Sequence, residues 1–129
     1  MRLSVIVPAR NEADVLGQCL ESLLAQSVDG FALNEEWELL VVDDGSTDGT
    51  RSIAQGFRQV KLLDPDPLPP KWTGKANAVW TGAQAARGEW LLFTDADTLH
   101  TPGNLERALH EAQHAEVVML SYSPSRSSQ

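Results

Sequence analysis

The sequence has only one cysteine and one tyrosine, and its acidic residues outnumber its basic ones. A single cysteine excludes an intramolecular disulfide, so we expect a reducing, cytoplasmic environment. With 10 Lys and Arg against 18 Asp and Glu, the chain lacks the basic face that binding to a nucleic-acid backbone requires. We therefore expect no nucleic-acid partner, although a local lysine or a metal ion can still hold a small anion.

Long apolar runs are also lacking. No stretch approaches the roughly 18 apolar residues that a membrane span needs, so we predict no transmembrane segment in this chain. The N-terminal run LSVIVP is too short for a signal peptide, and no small-residue cleavage site follows it. With 129 residues, 42% of them hydrophobic, the chain suits one domain with a modest core. We expect Cys19 in that core, on the apolar face of the first predicted helix.

Strand and helix patterns alternate along the chain. Five apolar runs predict strands: Leu3–Pro8, Glu38–Val42, residues 59–64, Trp90–Thr94 and residues 115–122. Four segments between them predict helices: one capped by Asn11, then Thr50–Phe57, Lys75–Arg87 and residues 101–114. This alternation predicts an α/β fold with a mostly parallel sheet and helices on both faces. Ligands of such sheets bind beyond the carboxyl ends of the strands, where PARNE, DDGS and DAD stand.

Two acidic pairs follow predicted strand ends. Asp95 and Asp97 stand one residue apart after the fourth strand, and Asp43 and Asp44 are adjacent after the second. Oxygen ligands at such a point suit Mg²⁺ or Mn²⁺, and a cation would relieve the repulsion between two carboxylates. A carboxylate there can also accept a hydrogen bond from a ribose or a base. The alternative for both pairs is ordinary turn and helix-capping chemistry, to which aspartate is equally suited.

Several other side chains near these strand ends have two interpretations. Lys75 follows the proline-rich segment near a predicted helix start, where it could face a diphosphate or be a solvated surface lysine. His100 could be a further metal ligand or an exposed turn residue. We expect Trp80 and Trp90 to be core residues rather than platforms for a ligand.

Three segments together resemble family 2 glycosyltransferases with the GT-A fold: SVIVPARNE (4–12), ELLVVDDGSTDGT (38–50) and GKANAVWTGAQAARGEWLLFTDADT (74–98). The resemblance extends from Leu3 to about Tyr122. It implies a Rossmann-like nucleotide-diphospho-sugar transferase fold. It also implies a nucleotide-sugar donor, usually a UDP-sugar, bound at the carboxyl edge of the sheet with a divalent cation, Mn²⁺ or Mg²⁺. The segment LPPKWTGK further resembles a subgroup that glycosylates lipid-like acceptors such as hopanoids, ceramide or carotenoids.

The resemblance assigns roles to residues after the first strand. Pro8, Ala9 and Glu12 match the first nucleotide-contacting segment of the family. Arg10 stands where the family often has an aromatic residue, so aromatic stacking on the base is replaced here by a guanidinium. An arginine in that position can stack on a base or meet a phosphate.

The resemblance also assigns roles to the acidic pairs and to the lysine. Asp44 matches the residue that usually contacts the uracil, with Asp43 as its neighbour and helper. Lys75 matches the lysine near the ribose and the diphosphate. Asp97 would bind the cation directly, and Asp95 would hold the ribose or a metal-bound water.

The polar ending SYSPSRSSQ contains no carboxylate. Inverting members of the family use an Asp or Glu general base on the acceptor side, in a segment after the fifth strand. We therefore expect this chain to be a C-terminally truncated, donor-binding part, and its catalytic base stays unassigned. We predict one nucleotide-sugar-binding domain over residues 1–122 and a disordered polar tail over residues 123–129. A full-length relative would work at the cytoplasmic side of a membrane.

Three other functions stay open at this point. A non-catalytic nucleotide-sugar-binding module would keep the donor site without sugar transfer. A nucleotidyltransferase would need a glycine-rich N-terminal loop, which VPARNE lacks. A receiver domain would need a lone phosphoacceptor aspartate after the third strand, where QVKLLDPDP is interrupted by prolines. The fold alone does not decide among these functions, so the site must.

Overall fold

The computed structural model describes residues 1–67, 70–115 and 119–122. Strands and helices alternate through these residues in the order β1 (Leu3–Ala9), α1 (Leu16–Leu24), β2 (Trp37–Asp43), α2 (Thr50–Gln55), β3 (Lys61–Leu63), α3 (Gly74–Ala85), β4 (Trp90–Thr94), α4 (Asn104–Ala115) and β5 (Met119–Tyr122). The predicted order of elements is confirmed. The first part of the fifth predicted strand and the predicted polar tail, residues 123–129, lie outside the described residues.

All described strands belong to one parallel sheet with the order β3-β2-β1-β4-β5. The chain first adds strands on one side of β1 and then crosses to the other side, where β4 pairs with it. Such a reversal leaves a crevice at the carboxyl ends of the two strands, because the flanking helices diverge there. The predicted α/β, Rossmann-like fold is therefore confirmed.

Helices cover both faces of the sheet. The larger core lies between one face and the helices α1, α2 and α4, and Cys19 lies in it, fully buried. Burial raises the pKa of the Cys19 thiol to about 12, which is that of a structural thiol rather than a nucleophile. On the other face, α3 contacts the sheet directly, since a Cβ at Gly82 would come within 2.5 Å of Ile6 Cγ2.

None of the helices in the described part of the chain combines the length and the hydropathy that a bilayer crossing requires.

A buried carboxylate joins the amino ends of three strands. Glu38 of β2 is fully buried; its Oε1 accepts from Lys61 Nζ at 2.7 Å, and its Oε2 accepts from Ser4 Oγ at 2.6 Å. The same Oε2 accepts from the backbone N–H of Arg87 at 2.6 Å, and Ser4 Oγ accepts from that of Gly88 at 2.8 Å. Burial acts to raise the pKa of the Glu38 carboxyl, but these donors outweigh it and hold the pKa below its usual range.

We expect Glu38→Gln to lower the free energy of unfolding by about 2 kcal/mol, because Lys61 loses its buried counter-charge. The pKa of Glu38 is lower in the folded chain than its ordinary value of 4.5. Its contribution to stability is therefore present above that ordinary value and is lost as the pH falls through the folded value. Urea unfolding from neutral pH down to about pH 3 would measure this.

The variant should lose less stability on acidification than the wild-type chain, because it has no carboxyl to protonate at this position. Glu35→Gln, at an exposed turn position just before β2, is the matched control and should leave the acid dependence unchanged. Identical acid dependence of Glu38→Gln and the wild-type chain would contradict the proposed role of the buried carboxylate.

Candidate functional site

A cavity of about 250 Å³ opens at the carboxyl edge of the sheet, beside the crossover between β1 and β4. Its lining comes from the ends of β1, β2 and β4 and from the first turns of α3: Pro8, Ala9, Arg10, Glu12, Asp44, Gly74, Lys75, Ala78, Asp95 and Ala96. Most of these were predicted from the sequence as donor-binding residues. The sequence analysis missed Gly74, Ala78 and Ala96, which are small and adjoin or closely follow a predicted residue. Their small size is their only signal in the sequence.

Asn11 joins the two loops that carry much of this lining. Its backbone N–H donates to Ser46 Oγ at 2.9 Å, and its Oδ1 accepts from the backbone N–H of Thr47 at 2.8 Å. Next to it, the backbone N–H of Glu12 donates to Thr50 Oγ1 at 2.8 Å. The prediction that Asn11 caps α1 is wrong, because α1 begins without a side-chain cap. Instead, Asn11 adopts φ +52°, a left-handed conformation that asparagine tolerates better than most residues.

The adjacent aspartates Asp43 and Asp44 lie in two different environments. Asp44 lines the cavity and lies so close to α3 that a Cβ at Gly74 would collide with its carboxylate. Asp43 is buried outside the lining, where it accepts from the backbone N–H of Ser46 at 3.2 Å and pairs with Arg51 at 3.4 Å. The predicted donor-binding role of Asp43 stays a prediction. Its contacts hold the turn between β2 and α2.

Opposite charges of the cavity meet in one ion pair. Lys75 Nζ donates to Asp95 Oδ1 at 2.8 Å. The lysine side chain is 64% exposed, whereas the carboxylate is only 18% exposed. Thr73 caps α3 by accepting from the backbone N–H of Ala76 at 3.0 Å, which fixes the backbone that carries Lys75. The cavity thus combines an exposed cation on a flexible stem with a largely buried carboxylate at the end of a strand.

Asp97 is not among the lining residues, and its Oδ1 is buried from solvent. His100 is buried as well, with Nε2 3.0 Å from Thr94 Oγ1, and burial lowers the pKa of its ring to about 4. It is therefore a buried, neutral residue rather than the exposed turn residue considered from the sequence, and its role as a metal ligand stays a prediction.

No group of three or more His, Cys, Asp or Glu is arranged to hold a metal among the described residues. Asp95 and Asp97 nevertheless supply carboxylate oxygens of the kind that Mg²⁺ or Mn²⁺ prefers. Such cations are commonly bound by one or two carboxylates together with water and substrate phosphates. The residues present therefore fit a cation that arrives with a diphosphate better than a cation held by the protein alone.

Two tryptophans form an exposed aromatic pair on the solvent side of α3. Trp80 is 51% exposed and Trp72 is 42% exposed, and their rings meet edge to face with centroids 6.4 Å apart. The prediction that Trp80 is a core residue is wrong, because the opposite side of α3, with Ala78, faces the sheet. Trp90 is partly buried against the larger core, as expected.

We expect Asn11→Ala to lower the free energy of unfolding by about 2 kcal/mol, because alanine is strained at this φ and loses the bond to Thr47. Asn11→Gly loses the same bond without the strain and should cost about 1 kcal/mol. Chemical denaturation of the two variants measures this difference. A glycine variant less stable than the alanine variant would contradict the role assigned to the left-handed backbone.

Comparison with known proteins gives one family match. The chain matches the model of the family described as Glycosyl transferase family 2 over residues 4–128. A glucosyl-3-phosphoglycerate synthase of Mycolicibacterium paratuberculosis is 37% identical over 76% of this chain and 29% of that protein. A 4,4'-diaponeurosporenoate glycosyltransferase of Staphylococcus aureus is 34% identical over 74% of this chain and 24% of that protein. The chain thus spans about a third or less of the length of these relatives.

Two solved structures are similar to this chain in both fold and sequence. The crystal structure of S. aureus TarS 1-349 in complex with UDP-GlcNAc has a TM-score of 0.68 and 30% identity, over 90% of this chain and 32% of that one. The glucosyl-3-phosphoglycerate synthase of Mycobacterium tuberculosis, in complex with Mn²⁺, UDP and glucosyl-3-phosphoglycerate, has a TM-score of 0.66 and 27% identity. That match covers 87% of this chain and 39% of the synthase.

Proposed function

This chain belongs to glycosyltransferase family 2, and we propose that its cavity binds the nucleoside diphosphate of a UDP-sugar. One observation carries the proposal: Asp44, Lys75 and Asp95 line a single cavity at the carboxyl ends of β1, β2 and β4. Nucleotides bind at this position in open parallel sheets. The UDP and UDP-GlcNAc in the two structural neighbours support the uridine assignment.

In this proposal the uridine lies against the loop that follows β1. Pro8 and Ala9 line its site, and Asp44 accepts a hydrogen bond from the uracil N–H. Arg10, which is exposed at the cavity wall, stacks on the base or meets a phosphate. Glu12 lines the same wall, and its backbone N–H donates to Thr50 Oγ1 at the start of α2.

The diphosphate lies between the start of α3 and the end of β4. Lys75 would donate to it, and Asp95 and Asp97 would supply carboxylate oxygens to Mn²⁺ or Mg²⁺; of these residues, Lys75 and Asp95 line the cavity. When bound, this cation neutralises the charge that develops on the leaving diphosphate. The Mn²⁺ in the mycobacterial neighbour supports this choice of cation. Because Asp97 is outside the lining, its part in this assignment rests on the resemblance rather than on the cavity.

We propose that the complete enzyme transfers a hexosyl group, with inversion, to an acceptor hydroxyl. The reaction needs a general base within hydrogen-bond reach of that hydroxyl, and we assign none of the described residues to this role. Residues 1–122 would form the nucleotide-sugar-binding domain, which binds the donor and by itself turns over little. The single buried cysteine is compatible with a cytoplasmic location.

We further propose that the acceptor is lipid-like. Trp80 lies on the helix that also carries Lys75 into the cavity, and Trp72 lies just before that helix. Exposed indole rings suit a surface at which apolar chains meet water. The 34% identity with a 4,4'-diaponeurosporenoate glycosyltransferase supports this acceptor class.

We expect UDP to bind the purified chain in the presence of Mn²⁺, with an affinity that falls about tenfold or more when EDTA removes the metal. Asp97→Ala and Asp95→Asn should each cause a similar loss, because the cation loses an oxygen ligand. Isothermal titration calorimetry measures both effects. Asp29→Asn, at an exposed loop position, is the matched control and should bind like the wild-type chain. Binding that is equally tight with EDTA would contradict the metal assignment, and no binding by the folded chain would contradict the donor site.

For the acceptor, we expect the chain to bind phosphatidylcholine vesicles that contain a carotenoid carboxylic acid, and to do so through the exposed tryptophans. Replacing Trp72 and Trp80 with alanine should reduce binding in a vesicle flotation assay about tenfold, because each indole loses its apolar contact. Val28→Ala, which truncates an exposed apolar residue elsewhere, is the control. Binding of 3-phosphoglycerate without vesicle binding would instead favour a phosphoglycerate-type acceptor.

A further inference from the structure

We propose that Lys75 is an internal competitor for the cation at Asp95, so that the metal and the diphosphate bind together rather than separately. This inference rests on the proposed donor site and goes beyond it. Lys75 Nζ lies 2.8 Å from Asp95 Oδ1, an oxygen of the carboxylate that is assigned to the cation or its water. The ammonium group therefore occupies a position beside Asp95 Oδ1 that the cation would need.

Electrostatic repulsion disfavours binding of the Lys75 ammonium and a divalent cation to Asp95 at the same time. An ammonium group in contact with Asp95 and a divalent cation at the same carboxylate would repel each other at a few ångströms. A cation that binds alone must therefore displace Lys75 from Asp95 and leave the ammonium beside it. This lowers the affinity for the metal alone.

The charges of the lining also disfavour the diphosphate alone. Three lining residues are acidic, Glu12, Asp44 and Asp95, whereas two are basic, Arg10 and Lys75. A diphosphate without a cation meets this net negative wall while the lysine is engaged with Asp95. When the cation and the diphosphate bind together, Lys75 transfers to a phosphate oxygen and Asp95 turns to the cation. Lys75 and Asp95 are then each paired with an opposite charge both before and after the ligands bind.

The structure also indicates which side chain moves. Asp95 directly follows β4 and is 18% exposed, and its backbone carbonyl accepts from the N–H of Thr98 at 3.1 Å. Lys75 is 64% exposed on a four-carbon stem, while the backbone beneath it is fixed by the Thr73 cap. The lysine side chain can therefore leave while the carboxylate stays in position for the metal.

This exchange has a thermodynamic consequence. If UDP raises the affinity for Mn²⁺ by some factor, Mn²⁺ must raise the affinity for UDP by the same factor. Lys75 is one origin of that factor, because it weakens the binding of the metal alone and strengthens the binding of the complete pair. Removing its charge should thus raise the affinity for Mn²⁺ alone and lower the affinity for UDP at saturating Mn²⁺.

The test measures Mn²⁺ binding to the purified chain by the loss of the free-ion electron paramagnetic resonance signal, with and without UDP. Lys75→Met should bind Mn²⁺ alone about two- to fivefold more tightly than the wild-type chain, because the competing ammonium is gone. Its affinity for UDP at saturating Mn²⁺ should fall about tenfold, because the phosphate contact is lost. Lys71→Met removes an exposed lysine just before α3 and should change neither affinity.

Two further variants make the outcome unambiguous. Lys75→Gln should behave like Lys75→Met, which excludes an effect of the apolar methionine, and Asp95→Asn should weaken Mn²⁺ binding with or without UDP. If Lys75→Met binds Mn²⁺ alone no more tightly than the wild-type chain while the latter binds Mn²⁺ and UDP, the competitor role is overturned and the donor site stands. If the folded wild-type chain binds no UDP with Mn²⁺, both the competitor role and the proposed function are overturned.

Discussion

The pairing of β1 with β2 on one side and with β4 on the other is the constraint on which the site depends. All these strands are parallel, so their carboxyl ends meet at one edge and bring together residues far apart in the sequence. Ala9 pairs with Asp43 at the last position of this register, which places Arg10 and Asp44 side by side just beyond the sheet. The apolar interior of β1 thus determines where the polar residues that follow it are held.

Carboxylates at the two ends of the sheet have different surroundings. At the amino end, Glu38 is fully buried and its oxygens are satisfied by donors of the protein. At the carboxyl end, Asp44 and Asp95 face a cavity, and their partners include an exposed lysine. A buried and saturated carboxylate stabilises the fold, whereas an accessible one can exchange its partner for a ligand. The difference lies in the surroundings rather than in the residue type.

The order of elements could be predicted because buried parallel strands are continuous apolar runs and the helices between them are amphipathic. Most of the cavity lining could be predicted because it directly follows those strands. The position of Asp43 could not, since adjacent aspartates look equivalent in sequence and only the turn geometry directs one of them to Arg51. Trp80 was wrongly expected in the core, because hydrophobicity alone does not tell which side of α3 contacts the sheet. Asn11 looked like a helix cap because its left-handed backbone has no signature in the sequence.

The buried thiol of Cys19 gives the molecule a built-in reporter. Its Sγ lies 3.7 Å from the backbone carbonyl of Asp95, a residue of the cavity lining. Because the thiol is fully buried and its pKa is about 12, alkylating reagents can reach a reactive thiolate only when this part of the core opens. The rate of alkylation therefore follows the local opening of the layer that supports the end of β4, without any introduced label. A ligand that tightens the site should slow that reaction.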